Sequence, residues 1–407
     1  MTDYLLRELT PRLHRALTRL PVVVLSGLRQ SGKSTLLRNE PSVREGRRYQ
    51  TLDDFDVLAA ARSNPGALLD GGPCILDEVQ RCPELLVEIK RRVDRSRKAG
   101  QYILSGSADL ALLGGVSETL AGRAVHCTLH PMTRREIRGR TGTAPFLIRF
   151  LENPSAPTTP ADPVAEEEVL LGGLPPVCLE PDQDAWEWFR GYAQTYLERD
   201  VRQISNIADL VAFRNLVELA ALRTGQVLVI SSLARDAKLT AATAGRYLGH
   251  LETSFLVRRI PPFLRNRSSR LIKSPKLLFT DSGFAAFLAG LKQLEPGRDD
   301  RLRGALFETY VAQNVLAILE AHAPDARVGY WHEQGRHEVD LVIEHGRSVL
   351  AIEVKAGTRW TDADLSGLRA FLDRTPPPAL GILATNGRSA TTLGPRLHAI
   401  PIGHLLA

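Results

Sequence analysis

The sequence predicts an α/β fold, and three observations support this fold class. From the N-terminus to about residue 135, short apolar runs alternate with segments of helical spacing, which is typical of a parallel sheet covered by helices. The apolar run 22–25 leads directly into a glycine-rich loop, and a helical pattern follows that loop. The chain has 407 residues, which is too long for one compact core. We therefore expect two or three domains, with a parallel sheet in the first.

The glycine-rich loop matches the phosphate-binding (P-loop) pattern G-x-x-x-x-G-K-[ST]. Its glycines allow the backbone to fold tightly, so that successive N–H groups and the following helix N-terminus surround phosphate groups. Lys33 is expected to reach the β- and γ-phosphates of a nucleotide, and the Ser34 hydroxyl to bind Mg²⁺. The predicted nucleotide contacts are Gly27, Arg29, Gln30, Ser31, Gly32, Lys33, Ser34 and Thr35.

A second polar motif follows the apolar strand 74–76. Asp77 and Glu78 are expected to emerge at the carboxyl edge of a parallel sheet, beside the glycine-rich loop. This is the form of a Walker B motif, in which Asp77 binds Mg²⁺ through water and Glu78 polarises the attacking water. The alternative is a surface Asp-Glu pair after a buried strand.

Two further residues are candidates for the same centre. Strand 102–104 ends in Ser105-Gly106-Ser107, which places Ser107 where a sensor of the γ-phosphate would lie. Arg123 precedes the strand-like segment 124–129 and could stabilise charge on the transferred phosphoryl group, in its own chain or in a neighbouring subunit. The alternative is a surface arginine without a catalytic role. The predicted catalytic set is Lys33, Asp77, Glu78 and Arg123.

Composition and charge narrow the class of protein. Contents of 43% hydrophobic and 24% charged residues are typical of a globular protein, and a net charge of +6 is compatible with an anionic partner. The four cysteines lack C-x-x-C spacing, which argues against a zinc site or disulfide framework and favours a reducing compartment. With no apolar run of membrane-spanning length and no signal-peptide pattern, we expect a cytoplasmic protein without a membrane partner.

The α/β pattern stops near residue 140. Residues 141–165 contain five prolines and predict a linker. Helical patterns follow, and two short helices starting near Ile230 and Thr240 predict a helix-turn-helix or winged-helix module. The segment after them contains seven basic residues and no acidic one: Arg258, Arg259, Arg265, Arg267, Arg270, Lys273 and Lys276. Its charge favours contact with a nucleic-acid backbone, although such modules also serve protein contacts only.

The last third of the chain contains a further group of charged residues. Glu308 lies near the start of the helical segment 306–319, Asp340 lies in the candidate strand 338–343, and Glu353 and Lys355 share one face of the strand 349–355. Three carboxylates and a lysine on a hairpin and a helix can hold a second Mg²⁺ and activate water for phosphodiester hydrolysis. The same arrangement is common on a solvated strand face, so the spacing leaves both interpretations open.

Taken in order, these motifs resemble a known family. The chain is similar to bacterial and archaeal ATP-binding proteins that join an N-terminal AAA-type P-loop ATPase to a C-terminal domain of unknown function with a restriction-endonuclease-like fold. The matching segments are 27–35, Leu52-Asp53-Asp54, 75–80, 104–107, Leu120-Ala121-Gly122-Arg123, Gly172-Gly173-Leu174-Pro175, Leu197-Glu198-Arg199-Asp200, 279–283 and 307–310.

The resemblance implies that Asp340 and Glu353-Val354-Lys355 correspond to the D…E-x-K core of the PD-(D/E)XK nuclease superfamily, with Glu308 as the carboxylate of its first helix. It leaves open whether this motif serves structure, nucleic-acid binding or catalysis. The expected domains are a P-loop AAA-type ATPase domain at 1–140, a linker at 141–165, a helical, winged-helix-like domain at 166–276 and a PD-(D/E)XK-like α/β domain at 277–407.

Three functions fit the sequence. The first is an ATPase that uses ATP and Mg²⁺ and couples hydrolysis to DNA through the segment that begins at Arg258 and through the C-terminal domain. The second is an ATP-dependent DNA nuclease of the defence or toxin–antitoxin type, and the third is a nucleotide-gated regulatory scaffold with protein partners only. An arginine finger that acts between subunits would require a homo-oligomer, whereas action within one chain would not.

Overall fold

The computed structural model describes residues 4–107, 120–180, 184–195, 209–264, 273–294, 297, 300–333 and 336–407. Two predicted features lie outside these ranges. They are the motif Leu197-Glu198-Arg199-Asp200, and Arg265, Arg267 and Arg270 of the basic segment.

The N-terminal region contains a five-stranded parallel sheet. Its strands are β1 (Val22–Ser26), β2 (Arg48–Thr51), β3 (Cys74–Asp77), β4 (Tyr102–Gly106) and β5 (Ala124–Thr128), arranged in the order β2-β3-β4-β1-β5. All neighbouring strands run parallel. The predicted α/β fold with a parallel sheet is therefore confirmed, and β4 separates the strand of the glycine-rich loop from the strand that ends in Asp77.

Helices cover this sheet on both faces. They are α1 (Thr10–Leu17), α2 (Lys33–Asn39), α3 (Pro41–Arg44), α4 (Phe55–Ser63), α5 (Pro65–Leu69) and α6 (Leu85–Arg95). Successive side chains of a strand point to opposite faces. Val22 and Val24 accordingly join one apolar core, while Val23 and Leu25 join the other. Because both faces are buried, β1 is a continuous apolar run rather than an alternating one.

The segment that follows is more ordered than a linker. It holds α7 (Arg134–Ile137), α8 (Phe146–Glu152), α9 (Glu166–Leu171), α10 (Pro175–Cys178) and α11 (Ala185–Thr195). Helix α8 lies inside the predicted linker 141–165, yet it buries Phe146, Leu147 and Phe150 in the main core. The prediction of a linker is therefore wrong for residues 146–152, because these apolar residues form a helix that packs into the core.

The middle region contains the two short helices that the sequence predicted. After α12 (Leu210–Ala221) and β6 (Gln226–Val227), α13 (Ile230–Asp236) and α14 (Ala241–Thr253) are joined by a four-residue turn, residues 237–240. The strands β7 (Val257–Ile260) and β8 (Lys276–Phe279) then form an antiparallel sheet with β6, in the order β6-β8-β7. This sheet extends beyond residue 276, where the sequence placed a domain boundary.

The C-terminal region has a mixed six-stranded sheet. Helices α15 (Ser282–Leu288) and α16 (Asp300–His322) precede β9 (Arg327–Glu333), β10 (His337–His345) and β11 (Ser348–Lys355); α17 (Ser366–Arg374), β12 (Ala379–Thr385), β13 (Thr391–Gly394), β14 (Leu397–Pro401) and α18 (Ile402–Leu405) follow. The order is β13-β14-β12-β11-β10-β9. The predicted hairpin is present as β10 and β11, which pair antiparallel.

Helix α16 lies at the centre of the molecule. Its buried residues lie on all sides, as expected of a helix enclosed by protein. One apolar core contains residues of α8, of the middle region and of the C-terminal sheet, together with Leu28 of the glycine-rich loop. Within the described residues, no helix is both long enough and apolar enough to span a membrane.

Candidate functional site

The predicted nucleotide-site residues meet at the carboxyl edge of the parallel sheet. Strand β1 leads into the glycine-rich loop at Gly27, β3 ends in Asp77, and β4 is followed by Ser107. Carboxyl ends of parallel strands form the edge where ligands of open α/β sheets bind. The sheet thus brings together motifs that are far apart in the sequence.

The backbone of the loop requires its glycines. Gly27 has a φ of +152°, and a Cβ there would clash with the carbonyl oxygen of Leu129. Gly32, directly before α2, has a φ of +94°, which glycine adopts more readily than other residues. Gln30 also adopts a left-handed φ of 63° and its side chain is exposed. This path leaves Lys33 at the first position of α2.

The Lys33 ammonium lies inside the loop. The residue is 5% exposed, and its Nζ donates to the carbonyl oxygens of Gly27 (2.9 Å) and Leu28 (3.0 Å). Burial lowers the pKa of Lys33 to about 8, although the nearby carboxylates of Glu78 and Asp77 act in the opposite direction. The lysine therefore holds a buried positive charge whose described hydrogen-bond partners are uncharged carbonyl groups.

Asp77 is held by three donors. Its Oδ2 accepts hydrogen bonds from the Ser34 hydroxyl (2.7 Å) and the Tyr49 hydroxyl (2.6 Å), and its Oδ1 accepts one from the Glu78 N–H (3.1 Å). Burial, and to a lesser extent the hydrogen bond to Asp77, raises the pKa of Tyr49 to about 12. The two oxygens predicted to act at Mg²⁺, those of Ser34 and Asp77, are thus adjacent.

Glu78 is turned toward Ser107 by an unusual backbone conformation. It has left-handed dihedrals, with a φ of 57° and a ψ of 41°. Its Oε2 accepts hydrogen bonds from the Gln80 amide and from the Ser107 hydroxyl, the latter at 3.4 Å. Burial raises the pKa of Glu78, while the Lys33 charge lowers it. The structure therefore brings Lys33, Ser34, Asp77, Glu78 and Ser107 together.

Sequence reasoning missed three contributors to this site. Tyr49 reaches Asp77 because β2 pairs with β3, and Gln80 contacts both Glu78 and Ser107. The third is Arg7, which donates to the carbonyl oxygens of Ser31 and His130, each at 2.7 Å, and pairs with Glu136 at 3.1 Å. Gln80 was visible in the segment 75–80, whereas the other two depend on the strand order and on the path of the N-terminal segment.

The motif Gly172-Gly173-Leu174-Pro175 packs against the outside of the glycine-rich loop. The buried Asp281 accepts hydrogen bonds from the N–H groups of Gly173 (2.7 Å) and Phe284 (2.8 Å), and the Gly173 carbonyl accepts one from Met132. Pro175 lies against Gly32, because a Cβ on that glycine would lie 3.6 Å from its ring. These contacts link the segments 172–175 and 279–283 to each other and, through Pro175, to the glycine-rich loop.

Arg123 does not reach this site in its own chain. It directly precedes β5 and lies beside Val22 at the amino edge of the sheet, roughly 15 Å along β1 from the glycine-rich loop. Its guanidinium pairs with Asp94 near the end of α6, at 2.6 and 2.9 Å. The cis role predicted for Arg123 is therefore wrong, because Arg123 and the glycine-rich loop lie at opposite edges of the sheet. Two alternatives remain: a role in the site of a neighbouring subunit, and a surface arginine without a catalytic role.

The described part of the basic segment is less exposed than predicted. Arg258 is exposed, but Arg259 pairs with Glu252 of α14, and Lys276 is buried. The carboxylates that neutralise these two charges come from outside the segment, so its own composition could not reveal them. The positive charge expected to contact a nucleic-acid backbone is therefore neutralised at Arg259 and Lys276, whereas Arg258 and Lys273 are exposed.

The C-terminal carboxylates also come together, with Lys276 among them. The Lys276 Nζ contacts Glu308 Oε1 at 2.7 Å and Asp340 Oδ1 at 3.1 Å, while Lys355 Nζ contacts Glu353 Oε1 at 2.9 Å. Among the described residues, no group of three His, Cys, Asp or Glu side chains is arranged to hold a metal ion. The predicted metal site of Glu308, Asp340 and Glu353 therefore does not fit a divalent ion in this arrangement, because a buried ammonium lies between two of its members.

Comparison with known families divides the chain into three parts. Residues 19–138 match an AAA domain, and residues 164–295 and 303–405 match two domains of unknown function, DUF8612 and DUF4143. The first match confirms the predicted AAA-type domain. The last match carries no function, so the nuclease-like fold stays a prediction.

Two solved structures are similar to parts of the chain at low identity. A STAND protein with a tetratricopeptide repeat sensor from Pyrococcus horikoshii is 12% identical, with a TM-score of 0.27, over 79% of this chain and 47% of that one. The Holliday junction branch migration motor RuvB of Thermotoga maritima is 17% identical, with a TM-score of 0.27, over 62% of this chain and 88% of that one. Such scores do not establish a shared overall fold.

Two mycobacterial proteins are closer in sequence. They are the uncharacterized proteins Rv2008c of Mycobacterium tuberculosis and Mb2031c of Mycobacterium bovis, each 32% identical over 354 residues. The alignment covers 86% of this chain and 73% of each relative. The chain therefore belongs to the family of these mycobacterial proteins, and its N-terminal part is an AAA domain with a P-loop.

Proposed function

We propose that the protein binds and hydrolyses ATP with Mg²⁺ at the carboxyl edge of the parallel sheet. The observation that carries this proposal is the direct contact between Ser34 and Asp77 beside the buried ammonium of Lys33. In P-loop ATPases, a lysine at this position meets the β- and γ-phosphates, while the hydroxyl and the Walker B aspartate act at the metal. The predicted contacts Gly27, Arg29, Gln30, Ser31, Gly32 and Thr35 belong to the same proposal.

The residues present fit an anion and a cation side by side. Lys33 donates to carbonyl groups that phosphate oxygens can replace, since its described partners carry no charge. The oxygens of Ser34 and Asp77 are hard ligands of the kind that Mg²⁺ prefers. When bound, Mg²⁺ would neutralise charge on the phosphates and so favour phosphoryl transfer.

Glu78 is the proposed general base. Burial raises its pKa, and a base with a pKa nearer to neutrality accepts a proton from water more readily. The Gln80 amide and the Ser107 hydroxyl hold its carboxylate at the end of β4, where a γ-phosphate sensor was expected. Ser107 therefore serves to orient Glu78 as well as to contact the nucleotide.

The test is the substitution Glu78→Gln, which keeps the size of the side chain but removes the base. We expect ATP turnover to fall by at least about 100-fold while ATP affinity changes little, because general bases contribute on that order. Glu84→Gln is the matched control, since Glu84 is exposed. Normal turnover by Glu78→Gln would refute its role. If ATP binds but wild-type turnover is undetectable, the nucleotide-gated scaffold replaces the ATPase.

A second candidate function is coupling of hydrolysis to DNA. The supporting observation is the helix-turn-helix of α13 and α14, on which Lys238 and Arg246 are exposed and have no carboxylate partner among the described contacts. Such helices place exposed residues in the DNA major groove, and basic residues supply the salt-dependent part of the affinity.

The same ATPase assay tests this coupling when it is repeated with single- and double-stranded DNA. We expect DNA to stimulate the wild type, and Arg246→Glu to remove the stimulation without changing basal turnover. Arg91→Glu, on the exposed face of α6, is the matched control. Absence of DNA binding at low salt would exclude the candidate.

A further inference from the structure

A small cavity lies where the N-terminal, middle and C-terminal regions meet. Its polar lining comes from His130, which follows β5, from Arg258 on β7, from Gln313 on α16 and from Thr280, which follows β8. The rest of the lining is apolar: Leu278, Phe279, Ala312 and Leu316. The cavity is thus lined by one arginine and by no carboxylate, and none of its side chains belongs to the nucleotide site.

Two nitrogens at this cavity are buried and have no hydrogen-bond partner among the described residues. They are the Nε2 atoms of His130 and Gln313, and these residues are 7% and 3% exposed. The orientation of the Gln313 amide is fixed, because its Oε1 accepts a hydrogen bond from the Ser282 N–H at 2.8 Å. Its Nε2 can therefore only donate. Buried donors without an acceptor are costly, so the two nitrogens mark a position where an acceptor would be stabilised.

The third polar group is a positive charge without a contacting counter-ion. Within the part of the chain that the structure describes, Arg258 makes no hydrogen bond and no ion pair. Two carboxylates, those of Glu252 and Glu320, act on it electrostatically. Each of them already pairs with another arginine, Glu252 with Arg259 and Glu320 with Arg12. The charge of Arg258 therefore remains available to an anion.

The three polar side chains together suit an anion better than a water molecule. Burial lowers the pKa of His130 to about 3, so its ring is neutral near pH 7, and the tautomer with a hydrogen on Nε2 donates from that atom. Arg258 and the Gln313 Nε2 are donors only. A water molecule would accept hydrogen bonds but bring no charge to Arg258, whereas an anion would satisfy the donors and neutralise the arginine.

We propose that this cavity binds a single chloride ion. Its volume of about 10 Å³ admits a guest of roughly one heavy atom, so phosphate, sulfate and carboxylate groups are too large. Arg258 is exposed, so its side chain is free to adjust to the radius of the ion. The bound ion would link β5, β7 and α16, and hence the three regions of the chain. This proposal does not depend on the ATPase.

The experiment measures chloride binding to the full chain without nucleotide, from the line width of the chloride NMR signal, which binding broadens. We expect the wild type to broaden the line in proportion to its concentration. Gln313→Glu should remove the broadening, because the new carboxylate still accepts the Ser282 N–H but its second oxygen repels the ion. Arg258→Gln should weaken chloride binding at least about tenfold, since it removes a charged donor. Arg246→Gln, which removes an exposed arginine of α14, is the control and should resemble the wild type.

Urea unfolding gives a second measurement. Chloride should raise the unfolding midpoint of the wild type above its value in gluconate at equal ionic strength, because gluconate does not fit the cavity. The midpoint of Gln313→Glu should be the same in both salts, because its own carboxylate replaces the ion.

Three results would overturn the proposal. If the wild type does not broaden the chloride line, the cavity holds water only. If Arg258→Gln or a folded Gln313→Glu binds chloride as tightly as the wild type, the ion lies elsewhere. If Arg246→Gln also loses the broadening, chloride binds to surface arginines in general. Should Gln313→Glu not fold, Arg258→Gln decides between the same outcomes, because it replaces an exposed side chain.

Discussion

Lys33 and Lys276 are both buried, yet they differ in the anions that surround them. Lys33 donates to two carbonyl groups, and burial lowers its pKa to about 8. Burial acts on Lys276 in the same direction, but contact with Glu308 and Asp340 outweighs it, so the pKa of Lys276 is raised. A buried lysine without contacting anions is suited to receive an anionic ligand, whereas one between two carboxylates has its counter-ions already.

Because of this difference, we expect one site to be open to a charged ligand and the other to be closed. The loop around Lys33 is open to phosphate, because the phosphate would supply the negative charge that no contacting group of the protein provides. The C-terminal cluster is closed, because a metal would have to replace an ion pair that is already formed. Burial alone does not distinguish the two lysines; the residues in contact with each ammonium do.

The largest expected effect of replacing one of these two lysines is on catalysis. Lys33→Met should lower ATP turnover by at least about 100-fold, because it removes the positive charge that stabilises the phosphates in the transition state. Steady-state ATPase rates provide the measurement, with Lys98→Met, an exposed lysine, as the control. If the variant keeps more than about a tenth of wild-type turnover, Lys33 is not at the phosphates, because a contact there contributes much more to the rate.

The next effect concerns stability and has opposite expectations for the two lysines. Lys276→Met should destabilise the protein by about 3–5 kcal/mol, since it leaves buried carboxylates without their partner. Lys33→Met should cost less than about 1 kcal/mol or even stabilise, because it removes a charge that burial disfavours. Urea unfolding without nucleotide measures both. Equal losses would contradict the distinction between a compensated and an uncompensated cation.

The smallest effect tests a third buried charge, Asp281, whose partners are backbone N–H groups. Burial raises its pKa to about 6, although these N–H groups act in the opposite direction. The folded protein therefore binds a proton that the unfolded chain releases near pH 4, and stability from this group is lost as pH rises through about 6. From the size of the pKa shift, the stability difference between wild type and Asp281→Asn should change by about 2–3 kcal/mol between about pH 4 and pH 6.

Chemical unfolding at several pH values between 4 and 7 gives that difference. Asp209→Asn is the control, since Asp209 caps α12 at the surface. If the stability difference between the two proteins does not vary with pH, Asp281 has the same pKa in the folded and unfolded states. Burial beside the turn 172–174 would then not raise the pKa of this carboxylate.

The sequence predicted the parallel sheet and most of the nucleotide site, because both depend on local patterns. Gly27 to Ser34 form one continuous motif, and Asp77 and Glu78 end an apolar strand, so their chemistry is visible without a structure. Ser107 lies beside Glu78 because its strand also ends at the carboxyl edge; its role as a sensor of the γ-phosphate stays a prediction. Each of these predictions needs only the direction of a strand.

The failures required the three-dimensional arrangement. Arg123 was assigned to the site from its order in the sequence, but it precedes its strand and so lies at the opposite edge. Lys276 closed a run of basic residues and was expected at the surface; its partners Glu308 and Asp340 are 32 and 64 residues away. Tyr49 was missed because its contact with Asp77 depends on which strands are neighbours.

The most direct test measures ATP affinity and the free energy of unfolding on the same two variants, Lys33→Met and Lys276→Met. We expect a crossed result: Lys33→Met loses ATP affinity with little loss of stability, while Lys276→Met keeps its ATP affinity and loses about 3–5 kcal/mol of stability. Loss of ATP affinity by both variants, or equal losses of stability, would contradict the claim that one buried lysine awaits an anionic ligand and the other already has its counter-ions.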